Sequence, residues 1–368
     1  MYACGITPYD ATHLGHAFTY VAIDLLVRAW RDAGLAVRYA QNVTDVDDPL
    51  LERAAATGQD WTRLAAEQVE LYRTDMAALH VLPPRELTAV SEVIPDITRT
   101  LRELSERGAA YQLGDPEFPD WYFAVADSAR LVSGSPVTLE TAEAVFAERG
   151  GDPGRPGKHN RLDCLVWRQH RPGEPAWDTW LGSGRPGWHI GCTTIALSAL
   201  GPHFDVQAGG SDLAFPHHPM CAAEATALTG EPFADAFLHV GMVAYQGEKM
   251  SKSLGNLVFV NRLLADGVDP MAIRLVLLAH HYRSDWEYTA AELGAADARL
   301  AAWRRAVASG TAADASATIA AVRAALRDDL DAPTALAAVD AWAAAGGDSP
   351  SAPGAVAQAV DALLGVAL

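Results

Sequence analysis

The sequence predicts an α/β protein: a Rossmann-like parallel sheet that binds a nucleotide, a loop-rich insertion, and a C-terminal helical bundle. Three observations predict it. The first 45 residues run strand, helix, strand, and the helix carries apolar residues at Phe18, Val21, Leu25, Leu26, Ala29 and Trp30. A second strand runs into a Gly-rich turn at FDVQAGGSD, after a stretch from 109 to 187 dense in Pro, Gly and Trp. From Pro270 onward Ala, Leu, Arg and Asp dominate, with Pro and Gly breaks near 310 and 346 to 353. The expected division is therefore 1–108 and 188–268 as two halves of one fold, 109–187 inserted between them, and 269–368 as the bundle.

At the start, a short strand ends near Cys4, the chain turns through Pro8, and a helix opens at His13-Leu14-Gly15-His16. A helix mouth offers unpaired backbone N–H groups and the positive end of the dipole, which suit an anion. Histidine adds an N–H donor, and Gly15 lets a flat ring approach the backbone. Four residues of this kind also arise by chance, so the rest of the chain decides. LAVRYAQNV reads as the next strand, and Thr44 follows its carboxyl end, where ligands bind in such sheets. Residues 60 to 80 and 92 to 108 have helical patterns.

The second half opens at Gly187-Trp188-His189-Ile190-Gly191-Cys192 and enters a helix. Gly210 and Asp212 close the next strand, where a carboxylate commonly takes ribose hydroxyls. Gly-Gly-Ser-Asp is equally good turn chemistry. His217 and Cys221 stand one helical turn apart, on one face. AFLHVGMVAY reads as a strand leading to QGEKMSKS, where Lys249 and Lys252 concentrate positive charge between glycines in a chain short of lysine.

The chain has 368 residues, half of them hydrophobic, which allows a large core and more than one domain. Net charge is −18, which suits a small-molecule enzyme better than a protein gripping a nucleic-acid backbone. Four widely spaced cysteines do not form a disulfide framework. No apolar run reaches the length of a membrane span and no secretory signal precedes the first strand, so a cytoplasmic protein without membrane contact is expected.

Taken in order, CGITPYDATHLGH, GWHIGC, GGSDLAFPHH and GEKMSKS resemble the class I cysteinyl-tRNA synthetase group. The resemblance runs from residue 2 to about 290, and more weakly through the bundle. It rests on both ATP signatures of that class, His-x-Gly-His and Lys-Met-Ser-Lys-Ser, at opposite ends of the catalytic fold. Within the group the chain is similar to the ligases of mycothiol biosynthesis, which join cysteine to the amine of glucosaminyl-inositol. QNVTDVDDPLLERA, MAALHVLPP, ERGGDPGRPGK and DAPTALAAVDAW carry that part of the likeness. The resemblance implies ATP, L-cysteine and an amine acceptor as substrates, and cysteinyl-AMP as intermediate. It implies Mg²⁺ with the ATP. The short bundle, without a further anticodon-binding region, implies no tRNA partner.

It also implies roles. His13 and His16 would hold the ATP phosphates, with Gly15 under the adenine and Thr7 nearby. Gly210 and Asp212 would hold the ribose. Lys249 and Lys252 would clamp the departing pyrophosphate, with Ser251 also binding the ATP. Cys4, Cys192 and His217 would bind Zn²⁺, with Gly5, Thr44 and Trp188 beside the bound cysteine. Zinc would separate cysteine from serine, because a thiolate is far the better ligand and a fourth position stays open for it. Cys221 as a fourth ligand is left open; it would close the site.

The chain departs from the group at Gly191, Ala208 and Pro219, where Glu, Gly and Glu are usual. It also begins on the first motif strand, which is where a truncated start or a divergent paralogue would begin. The alternatives are a ligase for another amine, a cysteinyl-tRNA synthetase, and a non-catalytic zinc-stabilised protein.

Overall fold

The computed structural model describes residues 1–250 and 255–368, with the side chain of Lys249 also outside the description. The chain divides into two compact units. The first comprises Met1–Tyr9, Arg38–Val69 and Pro84–His239; the second comprises Asp10–Val37, Glu70–Pro83 and Val240–Leu368.

The first unit is built on a five-stranded sheet. Its order is Ala234–Val240, Phe204–Gly210, Tyr2–Ala3, Ala40–Val43, Glu86–Ala89. Tyr2–Ala3 lies at the centre and pairs in parallel with Ala40–Val43 on one side and Phe204–Gly210 on the other. Both central residues are fully buried. A strand hidden on both faces reads as a short apolar run without alternation. The helices Ile94–Glu106, Trp188–Leu200 and His217–Thr229 share one core with this sheet, through Ile97, Leu101, Ile195 and Met220.

The inserted segment is a sheet, where the sequence suggested irregular loops. Ala110–Gln112, Trp121–Phe123, Cys164–Gln169, Gly182–Pro186 and Trp177–Thr179 form a five-stranded antiparallel sheet. Most of these strands are too short to show an alternating pattern, and Gly and Pro dominate the turns between them. Asp163 ties the region together: its carboxylate accepts from Tyr111 Oη (2.7 Å), Val125 N (2.7 Å) and Asn160 N (2.8 Å).

The second unit gathers the helix Leu14–Asp32 with Pro270–Leu278, Ala290–Ala308, Ala315–Arg327, Ala332–Ala345 and Ala352–Leu364. It also holds a small sheet ordered Glu248–Lys249, Val243–Tyr245, Trp286–Glu287. AFLHVGMVAY is therefore two strands in two sheets. The break falls at Gly241, where a Cβ would lie 2.3 Å from the Ser284 carbonyl oxygen. Among the described residues no helix is long and apolar enough to cross a membrane.

Candidate active site

In the first unit, Cys4 leaves the central strand with its N–H bonded to the Ala208 carbonyl at 2.9 Å. Cys192 sits in the first turns of Trp188–Leu200, and His217 opens His217–Thr229. A strand end and two helix starts thus bring three residues, far apart in sequence, to one place. Their ligand atoms lie within 4.8 Å of one another, and all three residues are buried. Two sulfurs and an imidazole nitrogen are soft-to-borderline donors, the set that suits zinc.

The surroundings orient these ligands. His217 Nδ1 lies 2.8 Å from His189 Nδ1, and the Trp188 ring stacks on His217 at 4.4 Å. His217 is held through its Nδ1, and this leaves Nε2 as the ligating atom. Cys192 is drawn well below the usual thiol range, first by its hydrogen bond with Cys4 and then by His217. Burial pushes Cys4 and Cys221 the other way. Cys221 Sγ bonds the His189 carbonyl at 3.6 Å and lies 3.8 Å from His217 Nε2.

Several residues around the cluster were not singled out in the sequence. Asn42 is fully buried; its Oδ1 accepts from Tyr2 Oη at 2.9 Å and Gly5 N at 2.8 Å, and its Nδ2 donates to Thr44 Oγ1 at 2.9 Å. It fixes Gly5 and Thr44 with one side chain. Gly5 has no alternative at this approach, since a Cβ there would lie 1.5 Å from the Asn42 carbonyl oxygen. Glu224 lies two helical turns past His217. It accepts from Thr193 Oγ1 at 2.6 Å and Cys164 Sγ at 3.6 Å, and burial pushes it up to about 8. The i, i+7 spacing from His217 was the signal that could have found it. Gly191 packs against Val90, with 3.1 Å from its would-be Cβ to Val90 Cγ2, so a side chain there would have to shift Val90.

Phe204–Gly210 ends in a single turn, Ser211–Ala214. A Cβ at Gly210 would lie 2.6 Å from Asp212 Oδ1. The Arg149 guanidinium holds the Asp212 and Phe215 carbonyls. Thr7 Oγ1 reaches Asp47 at 3.4 Å, and burial raises that carboxyl to about 6.

In the second unit, His13 is the N-cap of Leu14–Asp32. Its Nδ1 accepts from Gly15 N at 3.1 Å and His16 N at 3.4 Å, and its ring stacks on His16 at 3.8 Å. Two of the helix donors are therefore taken by the cap. With Nδ1 accepting, the proton of a neutral His13 ring is on Nε2, which becomes the donor a phosphate would meet. The same helix start pairs with the chain beyond the second signature: Leu14 N bonds Val258 O and Val260 N bonds Thr12 O, both at 2.9 Å. The backbone of Lys249 pairs with Ala244. Ser251 and Lys252 lie outside the described residues.

Asp75 is buried in the same unit, and neither of its oxygens has a hydrogen bond of good geometry. Burial raises its pKa to about 7, with the Thr12 hydroxyl offsetting a little. The folded state therefore holds this proton more tightly than the unfolded chain. Stability should fall as pH rises from about 4 towards 7, and then level off. Asp75→Asn should remove that fall and raise stability at pH 8 by on the order of 2 kcal/mol. Urea melts of both proteins at pH 5 and pH 8 measure it; parallel losses in the two would contradict it.

The family described as "tRNA synthetases class I (C) catalytic domain" matches residues 1–298. The L-cysteine:1D-myo-inositol 2-amino-2-deoxy-alpha-D-glucopyranoside ligase of Thermobispora bispora is 62% identical over 369 residues, covering 100% of this chain and 90% of its own. The protein of the same description from Kribbella flavida is 57% identical over the same shares of the two chains. In fold, the chain is similar to Mycobacterium tuberculosis methionyl-tRNA synthetase bound by methionyl-adenylate. The TM-score is 0.63 at 20% identity, over 93% of this chain and 82% of that one. Matched across its catalytic fold and along its whole length at these identities, the chain belongs to the class I (C) tRNA synthetase catalytic-domain family.

Proposed function

We propose that this chain is the ligase that activates L-cysteine with ATP as cysteinyl-AMP and passes it to the amine of glucosaminyl-inositol, in mycothiol biosynthesis. The observation that carries the reading is the buried Cys4–Cys192–His217 cluster, in a chain whose full-length relatives are named as ligases of cysteine and that amino sugar. Zinc fits this donor set, and its contribution is to select a thiol over a hydroxyl. Residues 1–108 and 188–268 are read as the halves of the catalytic fold, 109–187 as the insertion and 269–368 as the bundle. Because the reaction consumes ATP, we place it in the cytoplasm.

In the first step the cysteine carboxylate attacks the α-phosphorus of ATP, which travels with Mg²⁺, and pyrophosphate leaves. His13 donates through Nε2 to the phosphates beside His16, while Gly15 leaves space for the adenine. Gly210 and Asp212 take the ribose hydroxyls, and Thr7 lies along the nucleotide. Lys249, Ser251 and Lys252 meet the charge that grows on the departing pyrophosphate. Trp188, Gly5 and Thr44 hold the amino acid, with Asn42 locking the last two in place. In the second step the acceptor amine attacks the carbonyl carbon of the adenylate. AMP leaves and the nitrogen gives up a proton.

Cysteine-dependent ATP–pyrophosphate exchange tests the first step, and amide formation with glucosaminyl-inositol tests the second. Charging of tRNA in place of amide formation would overturn the assignment. Lys252→Ala should slow adenylate formation about a hundredfold or more while the cysteine requirement changes little, since its charge matters most as pyrophosphate departs. A raised cysteine KM with an unchanged first-step rate would remove Lys252 from this role.

A further inference from the structure

The first unit contains a cavity of about 610 Å³ between the helix His217–Thr229, the short helix Ser128–Val132 and the strand Ala234–Val240. Its size falls in the usual range for small-ligand sites, roughly 300–1,000 Å³. We infer that this cavity binds the amino-sugar acceptor, and that it sets which amine receives cysteine. The inference rests on the ligase reading above and adds to it the place where the second substrate sits.

The cavity borders two features with assigned roles. Ala214 lines it, two residues beyond Asp212 in the turn that would take ribose. His218 also lines it, and His218 Nε2 lies 3.4 Å from Cys4 Sγ, at the edge of the cluster that would hold the substrate thiol. In a cysteinyl adenylate the thiol lies on one side of the carbonyl that must be attacked and the ribose on the other. A ligand in this cavity therefore approaches from the side on which both are fixed.

Its walls suit a polyhydroxylated ring. Phe237, 42% exposed, lies nearly parallel to His239, with ring centroids 6.5 Å apart at 12°. His239 stacks in turn on His218 at 4.9 Å, with 2.9 Å between His218 Nδ1 and His239 Nε2. Of these three rings His218 is buried, and Phe237 offers the exposed apolar surface for the C–H face of a sugar. An exposed aromatic in a concave site is what gives a ligand of mixed polarity its buried area. The lining also carries Asp127 together with Arg107 and Arg130, whose guanidiniums have no hydrogen-bond or ion-pair partner among the described residues. Each guanidinium offers five donors to hydroxyl oxygens.

The test uses the full chain, glucosaminyl-inositol as probe, and three variants: Phe237→Ala, Arg130→Ala and Ala223→Phe. The last puts a ring into the cavity from the helix His217–Thr229. Amide formation is followed against acceptor concentration, and pyrophosphate exchange is followed without acceptor. The expected result is an acceptor KM raised about tenfold or more, with the exchange KM for ATP and cysteine within about twofold. Should Ala223→Phe fail to fold, the two exposed-side-chain variants carry the measurement. An unchanged acceptor KM in both would overturn the inference. So would a raised KM for ATP, which would give the cavity to the nucleotide. If the unsubstituted protein shows no exchange at all, the ligase reading itself fails, and that outcome is distinct from either of these.

Discussion

Cys192→Ser is expected to empty the cluster of zinc and to reduce cysteine-dependent pyrophosphate exchange about a thousandfold, while Cys221→Ser leaves both within about twofold. The two cysteines are equally buried, so burial does not separate them. Their partners do. Cys192 stands in the cluster with Cys4 and His217, both of which draw its thiol down, where a metal would take it as thiolate. Cys221 is pushed up by burial and then by the charges of Cys192 and Glu224, and its thiol is spent on the His189 carbonyl. A serine at 221 can donate to the same carbonyl. A serine at 192 replaces a sulfur ligand by a hydroxyl, a far poorer ligand for zinc. Metal content by atomic emission and exchange on the same samples decide the matter. If Cys221→Ser empties the site, the metal has four protein ligands, no position remains for a substrate thiol, and cysteine as the substrate falls.

How the cluster was legible, and its supports were not, follows from what a sequence displays. The resemblance to the class I cysteinyl-tRNA synthetase group named Cys4, Cys192 and His217 as ligands, and they stand at strand ends and helix starts, which periodicity and turn residues mark. Asn42 does its work through partners distant in sequence, and nothing local distinguishes it from an ordinary strand amide; Glu224 shows only its helical spacing from His217. His13 shows the same limit at closer range. Its place at the helix mouth is plain from the sequence, but its Nδ1 as the cap of Gly15 and His16 is a matter of rotamer. The inserted sheet was hidden because short strands leave no period. Its aromatic residues Trp121, Tyr122 and Phe123 were the available sign. The cavity was hidden for a further reason: a cavity is defined by what several elements leave empty, and no residue reports that alone.

Asp24→Ala is expected to lower the stability of the second unit by about 3–5 kcal/mol, the largest loss for a substitution away from the reaction chemistry. Asp24 lies mid-way along the helix that His13 caps and is 1% exposed. One carboxylate oxygen accepts from Leu82 N at 2.9 Å. The other meets two guanidiniums, Arg28 Nε at 2.7 Å and the fully buried Arg274. Two buried cations against one buried anion would be unstable by themselves. The excess is met by carbonyls near helix ends, which carry partial negative charge. Arg28 donates to His80 O at 2.7 Å and Asp361 O at 2.8 Å; Arg274 donates to Leu79 O at 2.7 Å and Leu364 O at 2.6 Å. Gly365 must remain glycine beside them, because its φ is +65° and a Cβ would lie 2.5 Å from Arg274 Cζ. Removing Asp24 alone strands two cations with only carbonyls to face. Asp24→Leu combined with Arg274→Leu removes one charge of each sign, and should recover part of the loss seen in Asp24→Leu. Urea denaturation of the single and double variants supplies the comparison. A loss below about 1 kcal/mol for Asp24→Ala would mean that the carbonyls alone hold the guanidiniums. The signature helix would then owe its position to apolar packing, with no part played by this buried charge.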